Sequence, residues 1–501
     1  MNKKIKKFLF FMTFGLMFTC FFASYNSANA QNDGGALFTF TYERISTTPG
    51  DAEGTVTFVK NGDTLSDYYH LYWSDGSKKL EGYSMLASQK VKKSDTFTYS
   101  IPACTFIPKN ATHLRAYSAT GTSLEPSQHN ETGVYAEIKL PEDIYASETK
   151  IYEFQVLSDT HIRSDSITDL HSERFINALN DIKEQSPNTT GIFINGDMVD
   201  NGYESEWLAY KNFITYVYGD TPPTIRCSIG NHESIHYESQ TYDSMFELFS
   251  AFTGQTNPYL SVTINDDMFI MLSSIKSEAD IREENYPNYY AYLGSDQLEW
   301  LDYQLAEAKQ QGQNVFLFLH QPPKETVSGS FASRKQTWAG VVDDDELRAV
   351  IDKYPNVVMF TSHTHWHLES YGAMQYGEKT APSFFNTASV AYLWSDEGAY
   401  ATNGGQTYPG SQGLYVEVYS DHILVKGRDF ENKRWISAAQ FIIPIETKNK
   451  PNDNIVPSDS DTQKNKSCAS GINSTYLFTL CSLAIAFKCK KGFACNNRKN
   501  K

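Results

Sequence analysis

Cysteine is scarce in the parts of this sequence that can fold. The chain has seven cysteines, of which only Cys104 and Cys227 fall between residues 34 and 446. The others are in an apolar run near the start or in a C-terminal cluster: Cys20, Cys468, Cys481, Cys489 and Cys495. The chain therefore does not depend on a disulfide scaffold, which for an exported protein suggests a bacterial envelope. Cys227 lies on an apolar stretch and is predicted to be an inert buried thiol.

The sequence also lacks a basic stripe and an internal repeat. Its formal net charge is −16 and its pI is near 5.2. Lys and Arg residues interleaved with aromatic residues would indicate an extended nucleic-acid site, and an acidic surface repels polyanions. We therefore expect no nucleic-acid polymer as a partner.

The first thirty residues have the plan of a secretory signal peptide. Lys3, Lys4, Lys6 and Lys7 precede an apolar run over residues 8–23, and small residues follow at positions 28–30. A basic start, an apolar middle and a small-residue end predict cleavage before residue 31. The chain is expected to be secreted or displayed at the cell surface.

The last part of the sequence predicts attachment to a membrane or cell wall. Residues 447–471 form a polar linker with no core to bury, residues 472–487 are uncharged, and residues 488–501 are basic. An apolar span followed by positive charge fits a C-terminal anchor. Sixteen residues give only about 24 Å of helix, short of the ~30 Å hydrocarbon core. The alternative is an amphipathic or sorting segment that is processed away.

Residues 34–146 predict an all-β domain. Short runs rich in β-forming residues are separated by Gly, Asn, Asp and Ser: 36–42, 54–59, 68–73, 96–101 and 113–117. This spacing is typical of an antiparallel sandwich of immunoglobulin or fibronectin type III kind. Its role is either that of a spacer or lid for the next domain or that of binding a cell-surface glycan or partner.

Residues 150–446 predict an α/β domain. Buried strands are indicated at 151–157, 191–194, 315–319 and 357–360. Helices with apolar residues at three- and four-residue spacing are indicated at 171–185, 205–217, 295–310 and 343–354. After residue 365, the runs 384–390, 413–419, 423–428 and 435–445 suggest closing antiparallel strands. Alternating strands and helices support the α/β assignment.

Polar residues that suit metal chemistry follow several of these strands. They are Asp159, His161, Asp197, Asp200, Asn231, His232, His320, His363 and His365. Taken singly, each has a simpler interpretation as a helix cap, a turn residue or an exposed histidine. In open α/β sheets, however, ligands bind where strands end, and independent turns would not fall in this order.

The residue types fit two divalent ions that clamp a phosphoryl group. Asp159 and His161, two apart, can approach one ion together. Asp197 ends a strand and suits a carboxylate shared by both ions, because Gly196 lets the backbone come close. Asn231 offers a neutral oxygen, which Mn or Fe accepts more readily than Zn alone.

In order and composition, these segments resemble the GDxxD and GNHE motifs of the calcineurin-like metallophosphoesterase superfamily. The resemblance implies a two-layer β-sandwich flanked by helices and two Mn, Fe or Zn ions. It implies that the first ion is held by Asp159, His161, Asp197 and His365. It implies that the second is held by Asp197, Asn231, His320 and His363. His232 would act as the general acid toward the leaving group, oriented by Asp200, while hydroxide formed at the metals attacks phosphorus.

Several residues differ from the superfamily's usual motifs, and they indicate which of its branches this sequence resembles less. Asn201 and Ile229 stand where phosphoprotein phosphatases of this superfamily have Arg, which argues against that activity. Asp200 replaces the Tyr of purple acid phosphatases, so no purple colour is expected. Ser362 stands where the superfamily usually has Gly, which affects the loop conformation rather than the ligands. His367 is expected to support a ligand or to face the substrate.

Substrate choice is expected to lie in three insertions with aromatic residues, at 276–293, 322–338 and 391–410. These rings can stack on a base or sugar, or can pack their own loops. The sequence predicts a metal-dependent phosphoesterase acting on small phosphate mono- or diesters. The alternative is a cell-surface binding protein in which the phosphoesterase module is degenerate.

Overall fold

The computed structural model describes residues 28–29, 37–141, 144–146, 149–235, 241–287, 289–396 and 406–445. These residues all belong to one unit, Met1–Lys448. Apart from Ala28–Asn29, the predicted signal peptide lies outside the described residues, as do the linker, anchor and basic tail predicted at 447–501. Within the described ranges, none of the helices combines the length and the apolar character needed to cross a membrane.

The N-terminal segment folds as two antiparallel sheets. One has the order β1-β2-β3-β6 and the other the order β5-β4-β7-β8. The strands are β1 Ala28–Asn29, β2 Thr39–Arg44, β3 Gly54–Val59, β4 Tyr68–Ser74, β5 Ala87–Lys90, β6 Thr96–Ile101, β7 His113–Thr120 and β8 Asn130–Lys139. Alternate residues such as Tyr69, Leu71 and Trp73 point into the core between the sheets, as the two-residue period of a strand requires. The prediction of an all-β domain is confirmed.

Two further six-stranded sheets carry the rest of the chain. Their orders are β11-β10-β9-β20-β21-β22 and β12-β13-β14-β15-β17-β16, and β18 and β19 form a separate hairpin. In the first sheet the strands are β9 Lys150–Leu157, β10 Ile192–Asn195, β11 Ile225–Ser228, β20 Gln412–Tyr419, β21 His422–Asp429 and β22 Arg434–Pro444. In the second sheet and the hairpin they are β12 Leu260–Ile264, β13 Asp267–Met271, β14 Val315–Phe318, β15 Val357–Thr361, β16 Met374–Gln375, β17 Ser383–Asn386, β18 Leu393–Ser395 and β19 Gln406–Tyr408.

Helices cover the outer faces of these two sheets. They are α1 Leu170–Gln185, α2 Glu204–Tyr218, α3 Tyr242–Thr253, α4 Glu278–Glu283, α5 Gly294–Gln311 and α6 Asp344–Ile351. Short 3-10 turns occur at Pro126–Gln128, His232–Ser234 and Ala332–Arg334. Helices α1, α2 and α3 pack on the first sheet, and α5 and α6 pack on the second. The predicted two-layer sandwich flanked by helices is confirmed.

The core between the two sheets is aromatic. Phe154 of β9 contacts Phe193, Phe269 and Phe316 with ring centroids 4.9–5.3 Å apart. Burial of each such side chain contributes about 1.5–3 kcal/mol, and the tilted ring pairs add to this. The sandwich is therefore a rigid base for the loops at its edge.

One strand prediction is confirmed on one side of the strand only. The run that begins at Phe384 is predicted to be a closing antiparallel strand, and β17 is antiparallel to β16 but parallel to β15. The connection between β15 and β17 is long enough for a crossover. Strands β20, β21 and β22 are antiparallel, as expected.

Loops of the N-terminal sandwich pair with β22, the edge strand of the first sheet. The backbone of Ser84 donates to Trp435, and the amide of Phe106 donates to the carbonyl of Gln440, at 2.9 and 2.7 Å. The hydroxyl of Ser437 donates to the carbonyl of Ser84 at 2.6 Å. These hydrogen bonds join the two parts of the unit at two places along β22.

Candidate metal centre

The predicted site residues lie in loops at the C-terminal ends of parallel strands. After β9, β10 and β11 these are Asp159, His161, Asp197 and Asn231, and after β14 and β15 they are His320, His363 and His365. Neighbouring parallel strands end at the same edge of a sheet, where ligands bind in open α/β folds. The two sheets thus bring residues from distant parts of the chain to one edge of the sandwich.

Several of these residues have a strained backbone. Five have φ angles between 42° and 65°: Asp159, His161, Asp197, His363 and His365. This left-handed region is uncommon for residues other than Gly, although Asp, Asn and His tolerate it best. Each instance costs on the order of 1–3 kcal/mol, and such residues cluster at functional sites. The strained backbone therefore indicates a functional site at this edge without reference to any sequence motif.

The possible ligand atoms of the described residues form three groups. Two of these share the carboxylate of Asp197: one comprises Asp159, His161, Asp197 and His365, and the other comprises Asp197, His320 and His363, with the ligand atoms of each group within 4.8 Å of one another. The third group comprises His161, Asp200 and His232. Nε2 of His365 lies 2.9 Å from Oδ1 of Asp159. Nε2 of His320 lies 3.0 Å from Oδ2 of Asp197. Asp197 is therefore placed to contact two ions.

Two further atoms at the same place have no protein partner. Oδ1 of Asn231 and Nε2 of His363 are buried and make no hydrogen bond with any described residue. An unsatisfied buried polar atom costs about 1–3 kcal/mol. A cation in contact with both atoms would remove that cost, so the donor set fits a pair of divalent ions.

Three histidines are held through one ring nitrogen. Their Nδ1 atoms lie 2.7–3.1 Å from oxygen acceptors: Asp200 Oδ1 for His161, the Asn195 carbonyl for His320 and the Tyr392 carbonyl for His365. Such contacts fix the tautomer and the ring orientation of metal-binding histidines. In all three, Nε2 is the nitrogen that is left for an ion.

Close backbone approaches require glycine at two positions. A Cβ at Gly230 would lie 2.2 Å from Oδ1 of Asp197, and one at Gly196 would lie 2.5 Å from Nδ1 of His320. Both contacts are far shorter than van der Waals separation. These glycines therefore set the positions of Asp197 and His320.

Glu233 forms hydrogen bonds with the two loops that carry Asp197 and Asn231. Its buried carboxylate accepts hydrogen bonds from the amides of Asp197, Met198 and Gly230 at 2.7–3.0 Å. From its sequence position, Glu233 has no predicted role beyond its place in the GNHE motif. A glutamate that follows a turn sequence such as Gly-Asn-His can bond to the backbone amides of that turn, but nothing in the sequence shows that a second loop lies within its reach.

At the metal centre, burial and neighbouring charges shift the pKa values of Asp197 and His320 in opposite directions. Burial raises the pKa of Asp197, but the imidazoles of His320 and His232 outweigh this and hold it well below its ordinary value. Burial lowers the pKa of His320, but Asp197 and Asp159 raise it to about 9. Burial lowers the pKa of His363 to about 3. The carboxylates thus stay ionised and require cations, either protonated imidazoles or metal ions.

A family model described as calcineurin-like phosphoesterase matches residues 154–367. All the predicted metal-binding and catalytic residues lie in this range. Residues 154–367 are a calcineurin-like phosphoesterase domain. Such a domain makes the chain a metal-dependent phosphoric ester hydrolase, and the Asp and His clusters are the groups that could hold its metal ions.

Solved structures similar to this chain include a dimetal phosphatase and a purple acid phosphatase. The match to a dimetal phosphatase from Danio rerio has 12% identity and a TM-score of 0.44, and covers 60% of this chain and 100% of that one. The match to a purple acid phosphatase from yellow lupin (Lupinus luteus) seeds has 12% identity and a TM-score of 0.42, covering 84% and 74%. No curated protein matches the chain. The assignment therefore depends on the family match.

In this phosphoesterase domain, His232 is oriented differently from the expectation. Its Nδ1 lies 2.7 Å from the backbone carbonyl of Asp200, whereas the Asp200 carboxylate is 3.9 Å away. That carboxylate instead lies 3.1 Å from Nδ1 of His161. The expected pairing of His232 with the side chain of Asp200 is thus replaced by a main-chain contact, because the loop turns the carboxylate toward the first ligand group.

Ser362 and His367 take specific places beside the phosphoesterase centre. The Ser362 hydroxyl donates to the carbonyl of Asn195 at 2.8 Å, so its side chain is accommodated in the turn. His367 is buried outside the three ligand groups, where it contacts Ser395 and stacks on Tyr408. Neither residue is among those that line the pocket at the centre.

A pocket of about 220 Å³ opens beside the metal centre of the phosphoesterase domain. Its aromatic lining residues are Tyr289, Trp338, Tyr392 and Trp394. Tyr289 comes from the insertion at 276–293, Trp338 from that at 322–338, and the other two from that at 391–410. Each of the predicted insertions therefore contributes at least one ring to the pocket.

Proposed function

We propose that this chain is an exported phosphoesterase that hydrolyses small phosphate mono- or diesters at a pair of metal ions. The observation that carries the proposal is the position of Asp197, which belongs to two groups of ligand atoms. One carboxylate between two cations reduces their repulsion and fixes their separation. The aromatic pocket beside the centre offers space for an organic leaving group.

The donor set favours Mn, Fe or Zn. One ion would be held by Asp159, His161, Asp197 and His365. The other would be held by Asp197, Asn231, His320 and His363. The imidazoles suit all three metals, and the neutral oxygen of Asn231 is better suited to Mn or Fe than to Zn alone. When bound, such a pair lowers the pKa of water and neutralises charge on a phosphoryl group.

His232 is proposed to donate the proton to the leaving group. Its ring contacts the Asp200 carbonyl through Nδ1, so Nδ1 carries a hydrogen and Nε2 is available to the pocket that His232 lines. A proton donor fixed beside the departing oxygen typically accelerates hydrolysis about 10²–10⁴-fold. The main-chain anchor orients the donor without a second titrating group.

Export and attachment remain part of the proposal. They are supported by the basic, apolar and small-residue segments at residues 1–30 and by the apolar and basic segments after residue 471. The substrate is expected to be a small phosphoester or an end group of a larger molecule, because the acidic surface disfavours nucleic-acid polymers. Localisation of the full chain by cell fractionation, with and without residues 1–30, tests this part.

The activity is tested by measuring bound metal and turnover on the full chain. Elemental analysis is expected to give two ions per chain, and p-nitrophenyl phosphate and bis-p-nitrophenyl phosphate are expected to report monoesterase and diesterase activity. Asp197→Asn should lose both metal and turnover, whereas Asp296→Asn, on the first turn of α5, should lose neither. A wild-type chain that binds no metal and hydrolyses neither ester would favour a surface binding protein instead.

A further inference from the structure

We propose that the pocket beside the metal centre recognises a trimethylammonium group, so that the substrate class is phosphate esters of choline. This inference rests on the proposed phosphoesterase function and specifies its leaving group. The phosphate would occupy the metal centre, and the cationic end of the alcohol would occupy the aromatic part of the pocket. Three observations support it: the aromatic wall, the ring geometry and a buried carboxylate.

The wall comprises Tyr289, Trp338 and Trp394, which are neither fully buried nor fully exposed. Large aromatic side chains that serve only to pack a loop are usually covered, whereas these three keep part of their surface open to the pocket. Tryptophan and tyrosine faces attract quaternary ammonium groups, and such groups lie within about 6 Å of ring centroids. The wall therefore has the composition of a cation-binding site.

The rings are tilted toward one another rather than parallel. Tyr289 and Trp338 have centroids 5.7 Å apart with an angle of 42°, and Trp338 and Trp394 have centroids 5.5 Å apart with an angle of 73°. A base inserted between two rings would need parallel faces about 7 Å apart, twice the ~3.5 Å contact distance of carbon atoms. Tilted rings in mutual contact leave no such slot. They form a concave wall, which suits a rounded group.

The carboxylate of Glu278 supplies a negative charge to the same pocket. Glu278 lines the pocket, and only 5% of its surface is exposed. It is the first residue of α4, held there by the capping residue Ser277. The guanidinium of Arg282, whose side chain is 62% exposed, lies 3.9 Å from this carboxylate. A buried carboxylate beside aromatic rings favours a cation over a neutral sugar or base.

The aromatic wall begins at a proposed metal ligand. The imidazole of His363 lies 5.5 Å from the Tyr289 ring and 5.9 Å from the Trp338 ring, measured between centroids. A group that binds against this wall is therefore only a short distance from a phosphate at the metals. The two-carbon link between the phosphate and the ammonium of choline is compatible with this adjacency.

The test compares phosphocholine with 3,3-dimethylbutyl phosphate, its uncharged analogue of the same shape, on the full, metal-loaded chain. We expect kcat/KM for phosphocholine to be about tenfold higher, since a cation held by aromatic faces gains that much over a neutral group. Tryptophan fluorescence should also show tighter binding of phosphocholine. Equal kcat/KM and equal binding for the two esters would overturn the inference.

Substitutions test which residues cause the preference for phosphocholine over its uncharged analogue. Glu278→Gln and Trp338→Leu are each expected to reduce the ratio of the two kcat/KM values toward one, and Trp338→Phe should retain part of it. The matched controls are Glu299→Gln on the exposed face of α5 and Tyr216→Leu on α2, which should keep the ratio. An unchanged ratio in both Glu278→Gln and Trp338→Leu would overturn the inference.

Failure of the choline site can be distinguished from failure of the proposed phosphoesterase function. Turnover of p-nitrophenyl phosphate with two bound ions, but no preference for phosphocholine, would retain the phosphoesterase and reject the choline site. A chain without turnover still gives a result, because the fluorescence titration compares binding of the two esters directly. Equal binding there rejects the choline site, and tighter binding of phosphocholine supports it.

Discussion

The carboxylate of Glu233 accepts a hydrogen bond from the backbone amide of Asp197 at 3.0 Å. The same carboxylate accepts from Met198 in the loop after β10 and from Gly230 in the loop after β11. One side chain therefore fixes two loops that carry proposed ligands. Since each loop carries a proposed ligand of the second ion, Glu233 sets their relative position although it is not itself a proposed ligand.

Replacing Glu233 by Gln should weaken metal binding and reduce stability. The amide nitrogen of Gln would face backbone N–H donors, which leaves at least one buried donor unsatisfied at a cost of about 1–3 kcal/mol. Urea unfolding of the metal-free chain and titration with Mn²⁺ measure the two effects. Glu299→Gln is the exposed control. Unchanged unfolding and metal affinity in Glu233→Gln would contradict this role.

Gly230→Ala should weaken the binding of both proposed metal ions before it unfolds the domain, because both would share the carboxylate of Asp197. The new Cβ would lie 2.2 Å from Oδ1 of Asp197, so the carboxylate must move. Gly312→Ala is the control: its Cβ meets open space, and only its positive φ is unfavourable, which costs about 1 kcal/mol of stability. Metal content per chain, measured alongside the melting temperature, separates the two variants.

His232→Ala should reduce turnover mainly for poor leaving groups. We expect kcat to fall about 10²–10³-fold for an alkyl phosphate and less than about tenfold for p-nitrophenyl phosphate, whose leaving group needs no proton. Asp200→Asn keeps the main-chain carbonyl that contacts His232, so it should retain the difference between the two esters. Equal losses for both esters in His232→Ala would remove the proton-donor role.

Asp181→Ala should destabilise the domain without altering the site. Asp181 on α1 pairs with Arg428 at 2.7 Å and accepts from the hydroxyl of Tyr415 at 2.6 Å, all in a buried position. Removing one partner leaves a buried charge unpaired, which costs about 3–5 kcal/mol. The double variant Asp181→Leu with Arg428→Met should recover much of that loss. Urea unfolding measures both variants, and a double variant less stable than Asp181→Ala would contradict this explanation.

Acid should destabilise the N-terminal sandwich through Glu131. Burial raises the pKa of Glu131, but hydrogen bonds from His70, Lys79 and Tyr72 lower it from 4.5 to about 2. A depressed carboxyl pKa adds stability above pH 4.5, and this is lost as the pH falls toward 2. Since Glu131 is partly exposed, screening limits the effect to about 1–2 kcal/mol.

The free energy of unfolding of wild type and Glu131→Gln, measured at pH 6, 4 and 2.5, tests this expectation. The difference between the two proteins should be largest at pH 6 and should shrink toward pH 2.5. Asp296→Asn serves as an exposed control whose difference from wild type should stay small throughout. A constant difference between wild type and Glu131→Gln would show that Glu131 acts through packing alone.

Local sequence patterns predicted most elements close to their observed bounds. Gly54–Val59 and Thr96–Ile101 match their strands, and the helix predicted at 171–185 begins one residue earlier, at Leu170. In each case the two-residue or 3.6-residue period is uninterrupted and one face is buried, so local pattern and tertiary packing agree. Strand β8 is among those not predicted, because the first four residues of Asn130–Lys139 include Asn, Glu and Gly, which are depleted in strands.

Local patterns could not predict contacts between residues that are far apart in the sequence. Glu233 acts through the backbone of a loop more than thirty residues away, and His232 is held by a main-chain carbonyl that no side-chain type reveals. The parallel pairing of β17 with β15 depends on which strand lies beside Phe384, not on its own sequence. The positive φ angles at Asp159 and His161 likewise follow from the sharp turn after β9.

The pairing of sandwich loops with β22 has a consequence for work with the phosphoesterase part alone. A chain that starts near Lys150 would leave the main-chain donors and acceptors of β22 without the loops around Ser84 and Phe106. An uncovered edge strand is a template for a second molecule. Such a truncated protein is therefore prone to self-association. In the full chain, the N-terminal sandwich covers this edge and so opposes aggregation.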